Sequence, residues 1–324
     1  MSLKPLRLQS PVNLLAQAVL TAAALGPLLV ALAALSGIGH RWVDILAQFP
    51  APLLPVTLAA TLVVLLLRLW IPAATGALAC LLLALAVWPQ IIVPGGPAAA
   101  SDSPRVRLYA ANLYAMNEDV AAMRASIEAA DADIIVLVEF GEAPNEAVES
   151  LLAGYPHREI TERVVRSEDA VRSVIASRYP LSRRSTEGSE RQMISAVADT
   201  PLGPVRVVGV HLTRPWPFQY QWGQIIQTQN LLDHIEGAPE PVVLAGDFNS
   251  VATGRIGRML RSEGSLIHAP GWPGTWPSVL PGPLRMTIDQ VYHTPDIAVA
   301  ERSLGAPTGS DHRPVIVDLA RPET

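Results

Sequence analysis

A single cysteine, Cys80, occurs in the chain, so neither an intramolecular disulfide nor a cysteine-built metal site can form. Lysine is as scarce: Lys4 is the only one, and every other basic residue is arginine. Aromatic residues make up 5% of the chain and charged residues 16%, against about 25% charged in ordinary globular chains. With 50% hydrophobic residues and a net charge of −5, intrinsic disorder is excluded. A uniformly soluble chain of 324 residues is disfavoured as well.

The shortage of charge is local. Residues 1–100 hold four basic residues, Lys4, Arg7, Arg41 and Arg68, and one acid, Asp44. The rest of the chain carries 20 basic and 28 acidic groups, a net charge of −8. Three apolar runs fill the first hundred residues, at about 12–35, 53–70 and 73–93. A helix needs roughly 20 apolar residues to cross a bilayer. The first and third runs reach that length, and the second is slightly short, with Arg68 placed to snorkel at its end. The runs lack the polar face that a soluble bundle would require. A cleaved signal peptide has an apolar core of only about 7–15 residues.

Trp42, Trp70 and Trp88 each lie near an end of a run, where an interfacial aromatic belt belongs. Lys4, Arg7 and Arg68 mark the cytoplasmic side, and Arg41, offset by Asp44, marks the other. The expectation is a multi-pass anchor over 1–93 in the cytoplasmic membrane. Its joint would fall at Ile71-Pro72, its N-terminus inside and the following domain outside. Residues 94–104, rich in Pro, Gly and Ser, read as a linker to a domain at 105–324.

That domain alternates short strands and helices. Strands are expected at Val106–Asn112, Asp133–Glu139, Val171–Ser177, Ile194–Ala198, Val205–His211, Val242–Asp247, Thr287–His293 and Val315–Leu319. Helices are expected at Asn117–Ala130 and Phe218–His234. This pattern predicts one layered α/β domain. Asn112, Glu139, His211, Asp247, Asn249, Asp289, Asp311 and His312 all lie at or just past an expected strand end. Taken singly, an Asp or Asn there caps a turn. Eight together mark a site built on rigid elements.

Gly246-Asp247-Phe248-Asn249, Ser310-Asp311-His312 and Thr287-Ile288-Asp289 resemble signatures of the endonuclease/exonuclease/phosphatase superfamily. Ala-Asn112-Leu, Val-Glu139 and Val-His211-Leu resemble the remaining ones, in the same chain order. The resemblance covers about 105–320 and implies a four-layer α/β sandwich, two mixed sheets flanked by helices. Two positions depart from the family pattern: Val138 stands where Gln commonly precedes the glutamate, and Gln290 where His or Tyr often follows the aspartate.

The resemblance implies metal-assisted hydrolysis of a phosphate ester. Glu139 would be the central ligand of Mg2+, with Mn2+ an alternative, and Asn112 and Asp311 would complete the shell. Asp289 would hold His312, Asp247 would orient or deprotonate the attacking water, and Asn249 and His211 would contact the phosphate. Either Asp247 or His312 could be the base.

The acidic balance disfavours a nucleic-acid partner, since Arg163, Arg166, Arg183 and Arg184 are interleaved with acids. Trp216, Trp222, Trp272 and Trp276 either form an apolar rim facing the bilayer or pack the core. Arg214 is a candidate phosphate contact, and Trp216 and Trp276 are candidate substrate contacts. In its arrangement the chain resembles the VanJ-like membrane members of the superfamily. This implies a lipid phosphate or pyrophosphate substrate, such as undecaprenyl pyrophosphate, at the outer face of the membrane. An extracytoplasmic nuclease or general phosphodiesterase, and a non-catalytic tethered binding module, are the alternatives.

Overall fold

The structure, a computed structural model, describes residues 11–161, 164–166, 169–185 and 193–323. Lys4, Arg7 and Arg163 lie outside the described residues, as do the side chains of Arg166, Arg183 and Arg184.

The apolar segment forms helices α1 (Pro11–Ser36), α2 (Pro50–Leu66) and α3 (Trp70–Ile91). By length and composition, α1 and α3 can each cross a membrane. The second run differs from expectation. At 17 residues α2 is short, and it bends 65° from the helical turns Arg41–Asp44 and Ile45–Gln48 that precede it. Nor does the joint fall at Ile71-Pro72. The chain turns at Leu67–Leu69, where Arg68 has φ 59°. Pro72 sits in the first turn of α3, where a missing N–H costs no helical bond. An added Cβ at Gly76 of α3 would come within 2.3 Å of Thr61 Oγ1, so the small residue lets α2 and α3 close.

Thirteen strands are described in the rest of the chain. Val106–Asn112 is β1, Ile134–Phe140 β2, His157–Ile160 β3, Val164–Arg166 β4 and Asp169–Ser177 β5. Leu181–Ser185 is β6, Met193–Thr200 β7, Gly203–His211 β8 and Val242–Asp247 β9. Ile267–His268 is β10, Asp289–His293 β11, Ala298–Leu304 β12 and Val315–Ala320 β13. One sheet has the order β12-β13-β1-β2-β5-β3, with β4 beside β5, and the other β10-β11-β9-β8-β7-β6. Among the described pairs β1–β2 and β8–β9 are parallel and the rest antiparallel.

The four layers follow from side-chain alternation. Leu108 and Ala110 of β1, Ile134 and Val136 of β2, Val205 and Val207 of β8, and Val243 and Ala245 of β9 meet between the sheets. The intervening residues face outward. Tyr109, Ile135 and Leu137 pack on Met123 and Ile127 of α4 (Val120–Ala130). Val208, Val210 and Leu244 pack on Ile225 and Leu231 of α5 (Gln221–Ile235), and on Ile256 and Leu260 of α6 (Arg255–Ser262). Strands covered on both faces read as unbroken apolar runs such as Ile134–Val138.

Two buried polar residues fasten the apolar helices to this sandwich. Asp44 accepts hydrogen bonds from Gln221 Nε2 at 2.6 Å, the Arg255 N–H at 2.8 Å and Arg258 Nη2 at 3.2 Å. Gln90 donates to Thr253 Oγ1 at 3.1 Å and accepts from Thr287 Oγ1 at 2.7 Å, and its carbonyl accepts from the Gly271 N–H at 2.6 Å. Ala34, Ala47 and Ala86 pack with Val251 and Ile288 beside them. Within the Pro- and Gly-rich stretch, Ala98 and Ala100 are hydrogen-bonded to Glu323 and Arg321.

Candidate active site

The parallel pairs β1–β2 and β8–β9 end on the same side of the sandwich. Asn112 follows Leu108 and Ala110 in phase and so points between the sheets, as do His211 on β8 and Asp247 on β9. Alternation alone would send Glu139 the other way, toward α4. A bulge between Leu137 and Phe140 and a φ of 48° at Glu139 interrupt the phase, and the carboxylate enters the cleft. A positive φ at a residue other than glycine is a local strain characteristic of functional positions. Asp289 is the register partner of Asp247 across β9 and β11. Gly246 supplies φ 139° just before Asp247, and a Cβ there would come within 2.1 Å of the Val210 carbonyl oxygen.

Five of the eight strand-end residues, Asn112, Glu139, His211, Asp247 and Asn249, form one bonded group, and the Asp289–His312 pair lies beside it. Asn112 Nδ2 donates to Glu139 Oε1 at 3.1 Å and to Asp247 Oδ2 at 3.0 Å. Glu139 also meets His211 Nε2 at 3.2 Å and accepts from the Ala115 N–H at 3.2 Å. Asn249 bonds Asp247 through its N–H at 2.8 Å and its Nδ2 at 3.2 Å, and donates to the Leu212 carbonyl at 2.9 Å. His312 Nδ1 lies 2.8 Å from Asp289 Oδ2. His312 Nε2 faces Asp247 Oδ2 and Asp311 Oδ1, each at 3.9 Å, too far for a direct hydrogen bond. Asp311, the eighth, sits at the rim and accepts from Trp276 Nε1 at 2.9 Å.

The charges respond to this crowding. Burial pushes the Glu139 carboxyl up, but the hydrogen bonds and charge of His211, with Asn112 and the Ala115 N–H, hold it well below the usual carboxylate range. Burial and the Asp289 charge raise Asp247 to about 6, against the opposing pull of His312 and His211. Burial disfavours the His312 imidazolium, yet Asp289 and Asp247 overcome it and lift the ring to about 10.

Among the described residues, two sets of groups are compact enough to hold a cation: Glu139, His211 and Asp247, and Asp247, Asp289 and His312. Asp289 Oδ1 is buried with no hydrogen-bond partner among the described residues. Each set is two carboxylates and an imidazole, and the carboxylate oxygens suit a hard divalent ion.

A cavity of about 320 Å³ opens beside Asn249, Asp311 and His312. Arg214, Trp216 and Trp276, the three expected substrate contacts, are among the residues that line it. Trp222 is exposed, Trp272 is half-buried, and neither is among its lining residues. Ile45, Gln48 and Phe49 line it too, from the loop between α1 and α2. Sequence reasoning missed them, because nothing in an apolar loop signals a distant tertiary contact. The two departures are also placed: Val138 is fully buried, and Gln290 donates its Nε2 to the Ser250 carbonyl beneath the site.

Two facing mixed sheets thus carry a carboxylate–histidine cluster at one end. The sequence matches the Endonuclease/Exonuclease/phosphatase family over residues 109–312, more than half of the chain, and the protein belongs to that family. Among solved structures, an endonuclease/exonuclease/phosphatase from Beutenbergia cavernae DSM 12333 is 23% identical, with a TM-score of 0.52 over 67% of this chain and 72% of that one. One from Bacteroides vulgatus is 15% identical, with a TM-score of 0.55 over 67% and 99%. The human Nocturnin catalytic domain with bound sulfate anion is 16% identical, with a TM-score of 0.52 over 69% and 97%. At these identities the likeness establishes the fold alone. Comparison with curated proteins gave no match.

Proposed function

We propose that this protein is a membrane-anchored, metal-dependent phosphoesterase that hydrolyses a lipid phosphate or pyrophosphate at the outer face of the cytoplasmic membrane. The observation that carries the reading is a juxtaposition. The carboxylate–histidine cluster lies at the end of the sandwich bonded by Gln90 of the membrane-length α3 and by Asp44 of the turn that follows the membrane-length α1. A head group lying at the bilayer surface is the phosphate ester nearest such a site.

By the family resemblance Glu139, with Asn112 and Asp311, would hold Mg2+, or Mn2+ in its place, and the compact group around Glu139 adds His211 and Asp247. When bound, the ion supplies polarisation of the phosphoryl oxygens and neutralises developing charge. His312, kept protonated by Asp289, donates from Nε2 toward the phosphate. That leaves Asp247 as the base, and its raised pKa of about 6 matches proton abstraction near neutrality. Asn112 and Asn249 fix the Asp247 carboxylate, and His211 faces the phosphate from the Glu139 side.

The net charge of −8 over residues 101–324 supports a lipid head group over a nucleic-acid backbone. Arg68 lies at the α2–α3 turn, whereas Arg41, Asp44 and the catalytic domain lie at the opposite ends of those helices. This supports an extracytoplasmic domain. The test is a panel of lipid phosphates, phosphodiesters and nucleic acids, given to the full-length protein in detergent with Mg2+. Release of phosphate from the lipids, lost in Glu139→Ala, is expected. Turnover confined to nucleic acid would overturn the lipid assignment.

A further inference from the structure

The cavity at the catalytic end has two kinds of wall. Asn249, Asp311 and His312 line it from the catalytic cluster. Trp216 and Met286 of the sandwich and Ile45 and Phe49 of the turn before α2 give it apolar lining. Ile45 and Phe49 belong to the turn that leads from one apolar helix into the next. An apolar cavity continuous with both a charged catalytic cluster and a membrane helix fits a ligand with a phosphate at one end and a hydrocarbon chain at the other.

The anchor-side wall is held in place. Asp44, the residue before Ile45, is 7% exposed and takes three hydrogen bonds from α5, α6 and the start of α6. Ala47 is buried against Val251 and Ile288. Gln48 Nε2 donates to the backbone carbonyl of Asn249, the residue that fixes Asp247. Trp42 packs on Trp216 with ring centroids 4.0 Å apart. Asp44, Ala47 and Gln48 are therefore held by the catalytic domain, and they set the place of Ile45 and Phe49 between and beside them.

We propose that the turn between the first two apolar helices is an integral part of the active site. In this arrangement Ile45 and Phe49 form one wall of a channel that holds the hydrocarbon chain of the phosphate ester and sets preference for its length. The inference rests on the phosphoesterase reading. It adds that selectivity for a lipid lies partly in the anchor, which sequence boundaries would assign to tethering alone.

The experiment compares butyl, octyl and dodecyl phosphate as substrates of the full-length protein in detergent with Mg2+. The proteins compared are wild type, Ile45→Ala, Phe49→Ala and the conservative Phe49→Leu. While the added carbons are being buried, kcat/KM should rise about fourfold per methylene. The dodecyl-to-butyl ratio should fall at least tenfold in Ile45→Ala and Phe49→Ala, and stay near wild type in Phe49→Leu. Partitioning into detergent is common to all four proteins and cancels when their ratios are compared. A ratio unchanged in both alanine variants, or a wild type indifferent to chain length, overturns the channel while leaving the phosphoesterase reading intact. Failure of the wild type to hydrolyse any of the three, or any ester in the wider panel, overturns both.

Discussion

His312 Nδ1 sits 2.8 Å from Asp289 Oδ2 with both side chains buried, and this contact sets the charge of the site. Burial alone would favour a neutral ring, and the carboxylates of Asp289 and Asp247 reverse it to about 10. The folded-state value is raised. The pairing therefore stabilises the fold fully below the unfolded histidine value of about 6.5 and loses that effect as pH rises through about 10. In Asp289→Asn the His312 titration, followed by NMR of the ring protons, should move down toward about 6.5. A midpoint still near 10 would show that Asp289 is not what holds the proton.

Asp247 has the opposite problem: burial and the neighbouring Asp289 make its charged form costly and raise it to about 6. If Asp247 takes the proton from water, kcat/KM should climb on the acid side with a midpoint above the ordinary carboxylate value. Asp247→Asn should lower the rate by about 10²–10⁴ and abolish that limb. An acid limb that survives the substitution would assign the base elsewhere.

Glu139 is oriented by four groups: Asn112, His211, the Ala115 N–H and its own left-handed backbone. Glu139→Gln keeps the shape but removes the charge. Mn2+ binding, measured by calorimetry or electron spin resonance, should weaken by at least about a hundredfold, with a comparable fall in rate. Undiminished metal affinity would exclude Glu139 as the central ligand.

Asp44 is the single acid of the first hundred residues and takes three hydrogen bonds from the α/β domain. Asp44→Ala removes the shared acceptor of buried Gln221 and of the Arg255 N–H and should weaken the junction by about 1–3 kcal/mol. The expected signs are a lower thermal midpoint in detergent and faster protease cleavage near residues 37–49. Identical protection in the variant would mean that the anchor is held by apolar packing alone.

The strands that build the site were legible because both their faces are buried and their polar residues stand at the ends. Val106–Asn112 and Val242–Asp247 match their expected bounds, and Asp289 and His312 were readable from short motifs. Edge strands were not. Leu181–Ser185 and Ala298–Leu304 carry consecutive Arg, Ser and Glu residues in sequence, with no apolar alternation, and so read as loop. The short helix α6 was hidden in the same way, since only Ile256, Met259 and Leu260 break a polar stretch. The swing of Glu139 into the cleft depends on a φ value that alternation does not reveal. Asp44 and Gln90 offered a signal that was passed over: lone polar residues in apolar surroundings need partners. Their partners are more than 160 residues away, at Gln221, Arg255, Thr253 and Thr287.

The central claim is that this cluster hydrolyses the phosphate of a membrane lipid. It is tested most directly by phosphate release from undecaprenyl pyrophosphate by the full-length protein with Mg2+, wild type against Asp247→Ala. Release by the wild type and its loss in the variant is the expected result. No release from any lipid phosphate, alongside efficient cleavage of DNA, would contradict it.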